Sequence, residues 1–81
     1  MTRYFHEELR AEMLSGAGDV ITVQLHWQQT GGLGLGIASR GFDEGRYPSP
    51  SDIMRIGGML CMLGSYANRP AATLDDERRP E

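Results

Sequence analysis

The chain has no lysine, a single cysteine and no long apolar run, and each shortfall closes a class of explanation. All eight basic residues are arginine, and they are spread along the sequence instead of gathered in one segment. Generic binding to a nucleic-acid backbone depends on clustered cations that release counterions, so that mode is disfavoured, the more so at a net charge of -3. One cysteine allows no internal disulfide. Cys61 stands inside an apolar stretch and reads as a buried, reduced thiol in a reducing compartment. The opening MTRYFHEELR carries acids where a secretory signal would place an unbroken apolar segment. No stretch approaches the ~20 apolar residues that a bilayer requires. The expected setting is therefore the cytoplasm, with no membrane involvement.

What is present fits one small domain. A chain of 81 residues buries only about 60% of the surface its unfolded form exposes, and such a core supplies ~3 to 5 kcal/mol unless a partner or a metal adds to it. The domain is expected over residues 1–69. Residues 70–81 hold one leucine among charged and small residues, a composition that does not offset the entropy of ordering, so they read as a mobile tail.

Hydrophobic spacing divides the domain. Phe5, Leu9 and Met13 recur at i, i+4, i+8 between Thr2 and Leu14, which predicts a helix closed by Ser15, Gly16, Ala17 and Gly18. From Asp19 to Gln29 the period changes to two: Ile21, Val23, Leu25 and Trp27 share one face, and Thr22, Gln24, His26 and Gln28 the other. Leu33, Leu35 and Ile37 alternate with Gly34, Gly36 and Ala38 in a second strand. Matching apolar faces pairs Trp27 with Leu33, Leu25 with Leu35 and Val23 with Ile37. The remaining loop, Gln29–Thr30–Gly31, ends on a glycine where a three-residue hairpin wants left-handed backbone. Residues 39–49 read as loop with a short edge strand around Phe42. Ser49, Pro50 and Asp52 then announce a helix from Pro50 to about Tyr66.

The expected fold is thus α+β: a helix, an antiparallel β-hairpin with room for a third short strand, and a longer second helix, both helices on one face of the sheet. The expected core is Phe5, Leu9, Met13, Ile21, Val23, Leu25, Trp27, Leu33, Leu35, Ile37, Ile53, Ile56, Leu60 and Leu63.

Chemistry-bearing patterns are sparse. His6, Glu7 and Arg10 lack the second histidine of a zinc-protease helix, and His6, His26 and Cys61 are too scattered to form a metal site. Gly31, Gly32, Gly34 and Gly36 interleave with strand residues and do not open onto a helix, so they form no phosphate cradle. No serine or histidine has an acid partner that the sequence indicates. No catalytic residue, cofactor or metal is expected.

Three surfaces suit a protein partner. On the second helix, Arg55, Met59, Met62 and Tyr66 oppose an apolar side made of Ile53, Ile56, Leu60, Leu63 and Ala67, and they are too apolar for a plainly solvated face. On the hairpin, Gln24, His26 and Gln28 border a glycine row that invites close docking, or that His26 simply shields. Asp43 and Glu44 offer acids that a basic partner would read as phosphates, or that merely keep the chain soluble. Gly57 and Gly58 cost ~1 kcal/mol each mid-helix, which implies close approach of another backbone, from the hairpin or from a second copy.

The absence of lysine, with the alanine, glycine and proline usage, hints at a GC-rich bacterial or phage genome. In length, single-domain economy, acidic balance and lack of a catalytic motif, the whole chain resembles in type the small phage and mobile-element inhibitors of host defence, the anti-CRISPR proteins among them. That resemblance implies a non-enzymatic protein that occupies a surface of a larger host complex, such as a CRISPR surveillance complex or nuclease, without touching nucleic acid itself. The alternative is a small structural or regulatory subunit that forms a homodimer through Met59, Met62 and Tyr66.

Overall fold

The computed structural model describes residues 1–68, and the tail expected at 70–81 lies outside them. The described chain is α+β. Strands β1 (Thr2–Phe5), β2 (Arg10–Leu14), β3 (Val20–Trp27) and β4 (Leu33–Ala38) precede a short helix α1 (Arg40–Asp43) and a long helix α2 (Pro50–Ala67). The strands form one antiparallel sheet in the order β1-β2-β3-β4, so each pairs with its neighbour in the chain.

The β3–β4 hairpin has the register that its side-chain alternation dictates: Val23 faces Ile37, Leu25 faces Leu35 and Trp27 faces Leu33. Gly31 turns the loop at φ +99°, a left-handed backbone that costs a residue without Cβ nothing. The Gln28 amide donates to the Gly32 carbonyl at 2.7 Å and closes the pairing.

The helix expected over Thr2–Leu14 is instead a second hairpin. β1 and β2 pair from Thr2 with Met13 to Phe5 with Arg10, joined by a 3-10 turn at His6–Glu8. A spacing of four residues is common to both regular structures: it keeps a side chain on one face of a helix and, being even, on one face of a strand. Leu9, Ala11 and Met13 are such a period-two row, with small Ala11 as its unnoticed middle member. Leu9 adopts φ 49°, ψ 45°, a left-handed conformation that turns the chain and places Phe5 on the opposite face. The Ser15–Gly18 segment, expected to cap a helix, is the β2–β3 turn. The Ser15 amide donates to the Asp19 carbonyl at 2.7 Å, and the Ser15 hydroxyl accepts from the Asp19 amide.

Around Phe42 the expected edge strand is the helix α1, whose N-cap Ser39 accepts from the Gly41 amide. For α2, the Ser49 side chain accepts from the Asp52 amide, the Asp52 carboxylate accepts from the Ser49 amide, and Pro50 occupies the first turn. This reciprocal cap fixes the helix start.

α2 lies on the inner face of the sheet against β2 and β3. Ala11, Met13, Ile21, Val23 and Leu25 meet Ile56, Met59 and Leu63 there, with Leu9, Phe42 and Leu60 at the margin. Each large aliphatic side chain so enclosed contributes about 1.5–3 kcal/mol. The outer face carries Phe5 beneath the Arg10 guanidinium, 4.0 Å from the ring centre, and Arg10 bridges Glu8 and Glu12. No helix among the described residues is long and apolar enough to cross a membrane.

Candidate protein-binding surface

Long-range contacts of α2 decide which part of the sheet stays open. The Asp52 carboxylate, almost fully buried, accepts from the Gly16 amide at 3.1 Å as well as from Ser49. The Ser49 amide is the main influence holding this carboxyl below the usual range. Partial desolvation opposes the shift, and the Gly16 amide and the Arg55 charge add to it. One turn on, Arg55 donates to the Leu14 carbonyl at 2.7 Å. Near the helix end, the Tyr66 ring stacks on His6 with centroids 4.6 Å apart, and His6 in turn meets Tyr4 at 5.5 Å. All these ties run to β1, β2 and their turns, and they draw the helix away from β4.

The helix is consequently turned by roughly 50°, at about 100° per residue, from the orientation its apolar spacing suggests. Asp52, Ile56, Met59 and Leu63 face inward, and Ile53, expected in the core, is 54% exposed.

One α-helix is ~10 Å across, whereas four strands at ~4.8 Å spacing make a floor nearly twice that width. With the first expected helix replaced by strands, the single long helix covers β2 and β3 and leaves β4 unroofed. Trp27 is 61% exposed and Leu35 58%, with Leu33 and Ile37 also open to solvent. These four expected core residues instead form a continuous apolar shelf, since the register puts all of them on the inner face. Ile53 belongs to the flank of α2 that overlooks it. Together they expose on the order of 500 Å² of apolar surface, at the upper end for the largest patch on a monomeric protein.

The residues expected at a partner surface fall into separate places. Met59 is 1% exposed and closes the core, so the expected surface of Arg55, Met59, Met62 and Tyr66 loses its centre. Met62 remains half exposed, Tyr66 is engaged by His6, and Arg55 is anchored on Leu14 and Asp52. Met59, the middle of the surface expected to form a homodimer, is taken up by the core in the same way. Gln24, His26 and Gln28 do share the outer face, His26 opposite Gly34 and Gln24 opposite Gly36. The Gln28 amide, not the His26 ring, folds over Gly34 and donates to the His26 carbonyl. Asp43 is exposed. Glu44 is bound to Arg46 Nη1 at 2.9 Å, and Arg46 also donates from Nε and Nη2 to the two carboxylate oxygens of Asp19.

Two further expectations are corrected. Cys61 is exposed, not buried, because the helix rotation carries it outward. At Gly57, Gly58 and Gly64 an added Cβ would meet nothing within 4 Å, so the hairpin does not press against these glycines. Among the described residues no group of three or more His, Cys, Asp or Glu side chains is arranged to hold a metal ion.

No family model, no curated protein and no solved structure matches the chain.

The sequence hides the apolar shelf because its members carry the signature of core residues. The signal that could have found it is an area mismatch: a sheet wider than two strands needs more roof than one helix supplies.

Proposed function

We propose that this is a non-enzymatic interaction protein that acts by occupying a surface of a larger protein complex. The observation that carries the reading is the shelf of Trp27, Leu33, Leu35 and Ile37, apolar and open beside the flank of α2. Leaving it in water forgoes about 25 cal/mol for each Å² that a partner would cover. An exposed tryptophan, Trp27, at the loop end of a row of aliphatic side chains is a composition in which binding energy concentrates. The polar outer face, with Arg10, Glu12, Gln24 and His26, supplies the solvated reverse side.

The small inhibitors of bacterial defence that the chain resembles in type give the partner class: a CRISPR surveillance complex or its nuclease, blocked at DNA capture or nuclease recruitment. The contact is with protein, since the shelf offers no cluster of cations for phosphates.

The test is a phage-plating assay in bacteria with an active CRISPR system, expressing either the native chain or Leu35→Asp. Restored plaquing by the native chain, lost in Leu35→Asp while circular dichroism stays unchanged, is the expected result. Full inhibition by Leu35→Asp removes the shelf as the contact surface, and no inhibition by the native chain across systems of each class removes the inhibitor reading.

A further inference from the structure

We infer that the free edge of β4 pairs antiparallel with β4 of a second copy of this chain, and that the apolar shelf is completed only in the pair. The proposal concerns self-recognition and stands whether or not the partner is a defence complex.

The phase of the backbone hydrogen bonds sets up the edge. The Leu25 amide donates to the Leu9 carbonyl at 2.9 Å and so points toward β2, away from β4. Gln28 bonds to Gly32 at the other side of β3. In an antiparallel ladder the bonded pairs alternate, so Gly34, Gly36 and Ala38 bond inward to β3, while Leu33, Leu35 and Ile37 turn their N–H and C=O groups outward. β4 is the last strand of the sheet, so among the described residues no strand answers those groups.

Natural sheets protect such edges with charges, prolines, bulges or very short strands. β1, the opposite edge, is four residues long and carries Arg3. β4 is six residues, LGLGIA, with neither charge nor proline.

The edge is also self-complementary. With a two-fold axis at Leu35, that residue exchanges both backbone bonds with its own copy, and Leu33 does so with Ile37 of the second copy. Every outward group finds a partner in this register. On the inner face leucine meets leucine or isoleucine; on the outer face Gly34 meets Gly36, and no side chains collide. A shift by two residues in either direction leaves one outward residue unanswered.

Area decides the kind of dimer. A six-residue edge with its flanking leucines covers on the order of 800–1,000 Å² over both copies, short of the ~1,200 Å² at which stable interfaces begin. The pair is therefore weak and concentration-dependent. Because the axis is normal to the sheet, both copies of α2 lie on one face. With each helix over β2 and β3, their axes stand roughly 19 Å apart at strand spacings of ~4.8 Å. Two helices ~10 Å wide then flank an apolar trough about one helix across, with Trp27, Leu33, Leu35 and Ile37 of both copies as its floor.

Sedimentation equilibrium of the full chain up to about 500 µM, a range that brackets a micromolar dissociation constant, should show a reversible monomer–dimer equilibrium. The discriminating variant carries N-methylated Leu35, made by chemical ligation, which removes the outward donor but keeps the side chain. It should dissociate at least about tenfold more readily, the equivalent of one or two hydrogen bonds, with an unchanged circular dichroism spectrum. A native chain that stays monomeric over this range, or an N-methylated chain that pairs normally, overturns the proposal. Should that variant misfold, amide exchange in the native chain decides: Leu33, Leu35 and Ile37 must become protected in step with dimer concentration. Protection at every dilution assigns the edge to residues 69–81 and overturns it equally. A strict monomer that still inhibits in the plating assay keeps the partner reading and loses this one.

Discussion

Asp52 ties the start of α2 to the β2–β3 turn at Gly16, 36 residues earlier in the chain. Its carboxylate accepts from the amides of Ser49 and Gly16 and sits beside the Arg55 guanidinium. Replacing it with alanine strands the Gly16 N–H and removes half of the helix cap, so Asp52→Ala should lower the melting temperature by about 8–15 °C, read by thermal circular dichroism. Asp52→Asn keeps an acceptor but not the charge and should fall between. The pH dependence has a definite sign. A carboxyl whose folded pKa is depressed contributes stability that is complete above its unfolded value of about 3.9 and is lost as pH falls through the folded pKa. Asp19, lowered by its hydrogen bond to Arg46, adds to the same acid limb. The melting temperature should therefore drop between about pH 5 and 2, and Asp52→Asn should flatten part of that drop. An unchanged acid limb in this variant would assign it elsewhere.

At the scale of the element, α2 invites a paired experiment. Met59→Ala opens a cavity in the core and should cost about 2–5 kcal/mol, whereas Met62→Ala on the solvent side should cost less than about 0.5 kcal/mol; chemical denaturation measures both. Gly58 points away from the sheet, and a Cβ there meets nothing, so Gly58→Ala should stabilise the chain by about 0.5–1 kcal/mol. A loss of stability would mean that something packs against it after all. These two methionines also show what the sequence could and could not convey. The start of α2 was legible because Ser49, Pro50 and Asp52 are local chemistry, and so was the β3–β4 register, fixed by strict alternation and Gly31. The rotation of α2 was not, because it is set by contacts between residues far apart in sequence, Arg55 with Leu14 and Tyr66 with His6. Nor was the β1–β2 hairpin, since a spacing of four satisfies a helix and a strand alike. Of the residues expected at a partner surface, Gln24, His26 and Gln28 share a face as their alternation implies, while the shelf is indistinguishable in sequence from core.

For the whole molecule, the governing quantity is the width of the roof relative to the floor. A single helix over four strands leaves the only tryptophan, Trp27, mostly in water, so its fluorescence should resemble that of exposed indole and be readily quenched by iodide. Filling of the shelf by a protein partner should shift the emission to shorter wavelength and reduce the quenching; a native emission already typical of a buried indole would contradict the open shelf. The order of the strands has one more result. Every strand lies beside the one that precedes it in the chain, so the sheet can zip up from its beginning as synthesis proceeds, with few distant segments to bring together. The helix that seals Ile21, Val23 and Leu25 is encoded after all of them, and a half-made chain must carry that bare face until the ribosome has released the helix.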